Sequence, residues 1–171
     1  MNVEYLMELV NAKCNDDARR AGVMTLGALR DGLAVLPREL PVFLVGGDTP
    51  RALSSYRGYY ERLAIEPNAG YPTHNETGVR GGGESFQSDH WGLYEPGISD
   101  ITIASPCTVG DMIAALDLAD GERFEGYKGG QFTMDRSTFM HVAEYGTCGH
   151  FVFALRVEAD RVVIETKEEE F

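Results

Sequence analysis

The sequence contains the same short helix-start pattern twice. Thr25-Leu26-Gly27 opens one amphipathic stretch, and Thr108-Val109-Gly110 opens another. A threonine just before an apolar periodic run is typical of a helix N-cap, because its hydroxyl accepts hydrogen bonds from backbone N–H groups that the first turn leaves unpaired. Each stretch leads into a strand-like run and a glycine-rich turn. The repeat therefore predicts a domain built from two related halves.

Apolar residues recur at helical spacing after each threonine. The repeating residues of the first stretch are Leu26, Leu29, Leu33 and Leu36. Those of the second stretch are Val109, Met112, Ile113 and Leu116. Pro37 ends the first helix, and Gly121 lies at or just beyond the end of the second. Helical spacing over residues 3–12 predicts a further short helix, which we expect Asn15-Asp16-Asp17 to interrupt.

Short apolar runs bounded by glycine and proline predict strands. They cover residues 42–45, 63–65, 98–104, 138–143, 151–157 and 161–166. Together these elements predict an α+β fold, in which a mainly antiparallel sheet carries the two amphipathic helices on one face. The chain of 171 residues fits a single domain over residues 1–171.

Two segments depart from this pattern. Residues 66–97 are rich in glycine and proline and have no periodicity, which predicts a flexible loop insertion. Because few apolar residues offset the entropy of ordering it, we expect 68–95 to be the most mobile internal segment. Residues 165–171, which are rich in glutamate, predict an acidic, disordered and solvating tail.

The charge and composition exclude some classes of function. A net charge of −12 argues against direct binding to nucleic acid, which requires a basic surface. It fits either a well-solvated protein or a negative face that docks onto a basic partner. No apolar run approaches the length of about 20 residues that crosses a bilayer, and residues 1–20 do not resemble a secretory signal. We therefore expect a cytoplasmic protein that makes no membrane contact and keeps its cysteines reduced.

Two glycine-bearing turns are the candidate ligand-binding segments. In Tyr56-Arg57-Gly58-Tyr59-Tyr60, the tyrosine faces and the arginine fork suit a planar or phosphorylated ligand such as a nucleotide. In Gly126-Tyr127-Lys128-Gly129-Gly130, backbone N–H groups and the lysine suit an anion. The alternatives are tyrosines that plug a sheet edge and a plain hairpin turn. The predicted ligand-binding residues are Tyr56, Arg57, Tyr59, Tyr60, Tyr127 and Lys128, and we expect both turns to line one pocket.

The 66–97 segment carries the candidate residues for contact with a partner protein. Arg80 lies in a glycine-rich stretch, and Trp91 and Tyr94 follow it. Exposed tryptophan and tyrosine dominate the energetics of protein interfaces. The alternative is a disordered loop whose aromatic residues fold back onto the body of the domain.

Catalytic and metal-binding patterns are not recognisable in the sequence. The histidines and cysteines lack the paired spacing of zinc ligands, so we expect no metal and no cofactor. Cys148 and His150 would make a nucleophile–base pair, yet no third residue orients them. His141 alternates with apolar neighbours on a predicted strand, which favours a hydrogen-bonded structural histidine.

Three segments resemble a family of small uncharacterised proteins of bacteriophages and actinobacteria. They are residues 25–36, 54–67 and 108–147, with YRGYY and GYKGG as the hallmark motifs. The resemblance implies that residues 66–97 are an insertion relative to shorter relatives. It also implies a phage accessory role, which includes countering host defence, and it brings no activity with it.

Two classes of function fit these patterns. The first is a non-enzymatic phage-type accessory protein that binds a host target or a small nucleotide-like ligand. It follows from the missing catalytic constellation, the acidic charge and the aromatic–arginine cluster. The alternative is an enzyme that acts on a nucleotide or a nucleotide-derived signal, with Arg57 and Lys128 holding phosphate.

Overall fold

The computed structural model describes residues 1–55, 62–68, 77–80, 85–87, 98, 100–125, 131–144 and 147–168. Its helices are α1 (Val3–Val10), α2 (Asp16–Ala21), α3 (Leu26–Ala34) and α4 (Val109–Ala119), and a π-helical turn, Asn11–Asn15, joins α1 to α2. Its strands are β1 (Val42–Leu44), β2 (Pro50–Ser55), β3 (Leu63–Pro67), β4 (Thr77–Arg80), β5 (Ser85–Gln87), β6 (Asp100–Thr102), β7 (Arg123–Glu125), β8 (Gln131–Thr133), β9 (Met140–Glu144), β10 (Thr147–Val157) and β11 (Val162–Glu168).

Nine of these strands form one sheet, in the order β1-β11-β10-β9-β3-β2-β6-β4-β5. The pairs β1–β11, β3–β9 and β4–β6 are parallel, and the other neighbours are antiparallel. β7 and β8 form a separate antiparallel hairpin. The predicted α+β class with a mainly antiparallel sheet is confirmed. Each predicted strand run overlaps a strand; these strands are β1, β3, β6, β9, β10 and β11.

The helices and the sheet share one apolar core. Leu26, Leu29 and Leu33 of α3 are buried, as their spacing predicts. The buried residues of α4 are Val109, Met112, Ile113, Ala115, Leu116 and Ala119. Strand residues in the same core include Leu53, Leu63, Ile65, Ile101, Met140 and Val142. α3 contacts α4 directly, whereas the placement of both helices on one sheet face and the relation between two halves stay predictions.

The predicted interruption of the first helix at Asn15-Asp16-Asp17 is wrong. The chain continues from α1 through the π-helical turn into α2, which ends at Gly22 with a φ of +78°. Asp16 and Asp17 lie in α2 and form ion pairs with Arg19 and Arg20, one helical turn further on. Asn15 is buried and has a partner in a distant strand, and this tertiary contact outweighs its tendency to break a helix.

Asn15 covers a stretch of strand edge that the sheet leaves open. Its Oδ1 accepts a hydrogen bond from Leu155 N (3.0 Å), and its Nδ2 donates to Leu155 O (3.0 Å). β9 pairs with β10 only as far as Phe151, so Leu155 lies beyond the reach of β9. On the same edge, Met24 N donates to Val152 O (2.8 Å). The side-chain amide of Asn15 thus takes the place of a neighbouring strand and satisfies both buried backbone groups.

The first turn of α3 is held by its own cap and by a distant turn. Thr25 Oγ1 accepts from Ala28 N (3.1 Å), which confirms the predicted N-cap. The two N–H groups that this cap does not reach donate to a segment just before β9. Leu26 N donates to Thr138 O (2.8 Å), and Gly27 N donates to Arg136 O (2.9 Å). The helix start is therefore fixed to residues more than one hundred positions away.

The first turn of α4 repeats this pattern with different partners. Thr108 Oγ1 accepts from Asp111 N (3.3 Å), and Asp111 Oδ2 accepts from Thr108 N (3.0 Å), which together form a capping box. Val109 N donates to Leu40 O (2.9 Å), and Gly110 N donates to Arg38 O (2.9 Å). The segment that receives these bonds lies just before β1. Each Thr-x-Gly helix therefore docks onto an arginine-containing turn that precedes a strand.

The two receiving turns have the same internal hydrogen bond. Leu40 N donates to Pro37 O (3.2 Å), and Thr138 N donates to Asp135 O (3.0 Å). The turn at 37–40 follows α3 and accepts bonds from α4, whereas the turn at 135–138 follows β8 and accepts bonds from α3. Each turn therefore accepts backbone hydrogen bonds from the start of a helix that is distant in the sequence.

Two segments differ from their predictions. Residues 66–97, expected as a flexible loop, contain the end of β3 and the strands β4 and β5, which extend the sheet beyond β6. The rest of this segment lies outside the described residues, so its mobility stays a prediction. The acidic tail expected over 165–171 begins inside β11, because Glu165 pairs in register with Ala154 and its Oε1 accepts from Arg156 Nη1 (2.8 Å). Residues 169–171 lie outside the described residues.

The two helix-start glycines provide a matched test of the docking. A Cβ on Gly27 would lie 3.0 Å from Arg136 Cβ, Cζ and backbone O, whereas one on Gly110 would lie 3.4 Å from its nearest neighbour, Arg38 O. We expect Gly27→Ala to lower the free energy of unfolding by about 1–3 kcal/mol through overpacking. We expect Gly110→Ala to change it by less than about 1 kcal/mol, since alanine gains helix propensity. Urea unfolding measures both, and equal effects would contradict the close approach at Gly27.

The Asn15 contact predicts a second stability difference. Asn15→Ala leaves the N–H and C=O of Leu155 without their side-chain partner, so we expect a loss of about 2 kcal/mol or more in the free energy of unfolding. Asn11→Ala is the control, because Asn11 Oδ1 only accepts from Asn15 Nδ2 (2.9 Å). We expect it to cost less than about 1 kcal/mol. A loss for Asn15→Ala no larger than that of the control would show that the edge contact contributes little.

Candidate functional site

The predicted ligand-binding residues lie outside the described part of the chain. This holds for Tyr56, Arg57, Tyr59, Tyr60, Tyr127 and Lys128, and for the predicted partner contacts Trp91 and Tyr94. Arg80 lies on β4, in register with Thr102 of β6. The predicted convergence of Tyr56, Arg57 and Lys128 on one pocket therefore stays a prediction, and the described strands that flank them provide its context.

The strands that flank the two predicted turns meet at one end of the sheet. β2 ends at Ser55, just before residues 56–61, and Ser54 is in register with Asp100 at the start of β6. Near that start, Ile98 accepts a hydrogen bond from Glu125 N (2.8 Å), and Glu125 directly precedes residues 126–130. β2 also contacts β7. Topology thus brings the flanks of both turns together, and we call this region the β2–β6 end.

A row of residues crosses five strands close to this end. Register pairs Asp100 with Ser54, Ser54 with Ala64, Ala64 with His141, and His141 with Phe151. Register partners in neighbouring strands project from the same face of a sheet. The residues between them in sequence belong to the apolar core described above, so this row occupies the opposite face. We call it the polar face, and Ser54 and His141 are fully buried in it.

A buried carboxylate organises the polar face between β2 and β3. Glu66 is 1% exposed. Its Oε1 accepts from Ser54 Oγ (3.2 Å), and its Oε2 accepts from Nη2 of the half-buried Arg51. A β-bulge between Pro50 and Ala52 places Arg51 beside Glu66. A buried carboxylate requires partners that compensate its charge, and the bulge places the Arg51 guanidinium where it can do so.

A second charged group lies between β3 and β9. Arg62 Nη1 is 3.1 Å from His141 Nε2. A guanidinium can only donate, so Nε2 is the acceptor of this hydrogen bond. Arg62 Cζ lies 5.4 Å from the ring centroid of Phe151, and the His141 and Phe151 ring centroids are 4.4 Å apart. His141 is buried and hydrogen-bonded, as its alternation with apolar neighbours predicts.

Phe139 adds an exposed aromatic side chain to this end. It precedes β9 as Arg62 precedes β3, and Leu63 N donates to Phe139 O (3.0 Å). The Phe139 side chain is 44% exposed. The half-buried Arg62 and the exposed ring of Phe139 thus lie at the starts of two neighbouring parallel strands, β3 and β9, at the same end of the sheet.

Sequence reasoning missed most of these residues. Local sequence patterns do not single them out, because their common face depends on strand register. They are Arg51, Ser54, Arg62, Glu66 and Asp100. One local signal was present: Glu66 closes the otherwise apolar run Leu63-Ala64-Ile65. A charged residue in such a run indicates a buried ion pair or a site.

The side chains of Cys14 and Cys107 are not suited to act as nucleophiles. Cys14 and Cys107 are buried, and burial raises the pKa of each thiol to about 12. A thiolate is the reactive form, so both side chains are inert near neutral pH. Within the described part of the chain, no group of three histidine, cysteine, aspartate or glutamate side chains is placed to hold a metal ion.

Comparisons with family models, with curated proteins and with solved structures find no match. None of the helices that the structure describes has the length and apolar content needed to span a membrane.

The raised thiol pKa values predict protection from alkylation. We expect peptides with Cys14 and Cys107 to stay unmodified by iodoacetamide at about pH 8 in the native protein and to react in concentrated urea. The folded-state pKa values of about 12 exceed the ordinary value of 9.0. The stability that the two thiols contribute is therefore full below pH 9.0 and is lost as pH rises toward 12. Rapid native alkylation, measured by mass spectrometry, would contradict the burial.

Proposed function

We propose that this chain is a non-enzymatic, phage-type accessory protein that binds a small nucleotide-like ligand at the β2–β6 end. The observation that carries the proposal is the meeting of the flanks of both predicted turns beside a face with buried charged side chains. A nucleotide combines an anionic phosphate with a planar base, and the half-buried Arg62 and the exposed Phe139 ring lie at this end.

The sequence motifs complete the proposed site. Tyr56, Tyr59 and Tyr60 would form the aromatic wall, and Arg57 would bind phosphate from the connection between β2 and β3. Tyr127 and Lys128 would contribute from the connection between β7 and β8. The two cations then bind the anionic group, and the tyrosine faces stack on the base.

The biological setting is part of the proposal. The resemblance to phage and actinobacterial proteins favours a role in the bacterial cytoplasm, or the host cytoplasm if a phage encodes the chain. There the protein would inhibit host defence, either by sequestering a nucleotide signal or by binding a host protein. Arg80, Trp91 and Tyr94 are the residues proposed for the protein contact, and the net charge of −12 favours a basic partner surface.

The two halves of the domain are proposed to be related, with their helices on one face of the sheet. The support is the shared bonding of the two Thr-x-Gly helices, since Leu26 and Gly27 of α3 donate as Val109 and Gly110 of α4 do. A related pair of halves would place the turn after each helix at equivalent positions. This arrangement is consistent with two binding turns that serve one ligand.

An enzyme that acts on a nucleotide is the second candidate. The observation that favours it is the pair of buried acidic residues on either side of Ser54. Glu66 Oε1 accepts from Ser54 Oγ (3.2 Å), and Asp100 is in register with Ser54 on the next strand. Paired carboxylates in different surroundings are suited to general acid–base chemistry.

A panel of nucleotides and cyclic dinucleotides separates the two candidates. The protein is incubated with each compound, removed by filtration, and the filtrate and the released ligand are analysed by chromatography. Depletion of an unchanged compound supports binding, and new products support catalysis. Neither depletion nor products with any compound would overturn both nucleotide proposals.

The double variant Arg57→Ala with Lys128→Ala tests the proposed site. We expect binding to fall about a hundredfold or more, because two charge-assisted contacts are lost, while the thermal midpoint stays near that of the wild type. The control is Lys13→Ala with Arg19→Ala, which removes the same charge from exposed positions near the N-terminus. Unfolding of the site variant would show that Arg57 and Lys128 are structural.

A further inference from the structure

We propose that the N-terminal helical segment, residues 1–21, binds a second copy of this chain by exchange, so that each segment occupies on its partner the docking site that it occupies on its own body. The docking site is the open edge of β10 together with the adjoining surface of α3, both of which the segment contacts. This inference goes beyond the proposed function and does not depend on a ligand. Four observations carry it.

The first observation is the hydrogen bonding of the segment to the sheet. Three hydrogen bonds connect it to the described part of the body, and all three involve backbone groups of β10 beyond the reach of β9. Asn15 bonds both the N–H and the C=O of Leu155 (3.0 Å each), and Met7 Sδ accepts from Val157 N (3.1 Å). A neighbouring strand bonds alternate residues in the same way. The docking site thus binds the segment through backbone groups that every copy of the chain presents.

The second observation is that the segment is a self-contained helical unit. α1, the π-helical turn and α2 follow one another without a break. The ion pairs that the structure describes for this segment, Asp16 with Arg19 and Asp17 with Arg20, lie within it. These contacts move with the segment. Exchange therefore keeps them, and a second copy restores the contacts that the segment makes with its own body.

The third observation is the apolar face of the segment. Val10, Cys14 and Ala18 are buried in the core of the domain. A segment that leaves its docking site exposes them to water, which is unfavourable. The free energy of burying them is recovered at the docking site of a second copy as fully as at its own. Intramolecular docking dominates at low protein concentration, and exchange gains with concentration.

The fourth observation is the hinge. Gly22 follows α2 with a φ of +78°, a conformation that side-chain-bearing residues rarely adopt. Met24, two residues on, is already fixed to the sheet, since its N–H donates to Val152 O (2.8 Å) and its O accepts from Met140 N (3.0 Å). The hinge is therefore confined to Gly22 and Val23. An extended backbone at Gly22 in place of the positive φ directs the segment away from its own docking site.

The hinge is tested with Gly22→Ala and its matched control Gly46→Ala. Both glycines have positive φ, +78° and +94°, and no heavy atom lies within 4 Å of an added Cβ at either position. Alanine is strained at both, but only at Gly22 does exchange relieve the strain. We expect Gly22→Ala to raise the monomer–dimer association constant about tenfold or more, and Gly46→Ala to leave it unchanged. Size-exclusion chromatography with light scattering, up to millimolar concentration, measures both. A Gly22→Ala variant that stays monomeric, or equal gains in the two variants, overturns the inference.

A disulfide between two chains identifies the docking site in such a dimer. A Cβ on Gly32 would lie 3.3 Å from Cys14 Cβ, close to the separation of about 3.5–4.5 Å that a disulfide bridges. One chain carries Gly22→Ala, Cys14→Ala and Gly32→Cys, and the other carries Gly22→Ala alone, so neither chain forms this bridge by itself. The two are mixed, concentrated and oxidised with oxidised glutathione. We expect a covalent dimer in which mass spectrometry finds the bridge between positions 14 and 32. Dimers without this bridge, formed from chains that circular dichroism shows to be folded, overturn the exchange.

Asn15→Ala in the Gly22→Ala background gives a readout that needs no new cysteine. The monomer and the exchanged dimer lose the same contacts with Leu155 at each docking site. We therefore expect the association constant to stay unchanged while both states lose stability. A large rise in the association constant would show that the segment leaves its docking site without being replaced there, and it would overturn the exchange.

Discussion

The fold depends on the contact between the side-chain amide of Asn15 and the backbone of Leu155. β10 is longer than the part of it that β9 covers, and beyond Phe151 its edge needs another partner. Asn15 supplies one with two hydrogen bonds of 3.0 Å. The π-helical turn also packs closely on α3, where a Cβ on Gly32 would lie 2.5 Å from Cys14 Sγ. The N-terminal helices are thereby part of the sheet's hydrogen bonding and not only a cover for its core.

The starts of α3 and α4 are bonded to turns that precede two different strands of the sheet. α4 is bonded to the turn before β1, and α3 is bonded to the turn before β9. β1 is an edge strand, and β9 lies near the middle of the sheet. Each helix start is therefore bonded to a turn that leads into a different strand of the sheet. The glycine of each Thr-x-Gly start has no Cβ, which allows the arginine of the receiving turn to approach. The approach is closer at Gly27 than at Gly110.

Local signals in the sequence predicted local structure well. The caps at Thr25 and Thr108, the buried leucines of α3 and most strands follow from spacing and from single residues. The polar face could not be predicted, because Ser54, Glu66 and His141 share a face only through the register of β2, β3 and β9. The continuation of the first helix was missed because Asn15 has its partner 140 residues away. The predicted turn residues lie outside the described chain, so the candidate site is built from their flanks.

The long-range bonds of the N-terminal helices have a consequence for synthesis on the ribosome. α3 has its first two N–H groups bonded to Arg136 and Thr138, and Asn15 is bonded to Leu155. None of these partners has emerged when the N-terminal helices leave the exit tunnel. The apolar faces of these helices stay uncovered until β9 and β10 have been synthesised, and contacts of such large sequence separation also form slowly. Assembly of the domain is therefore a late event, and a ribosome stalled before β10 would display a chain with its first helices undocked.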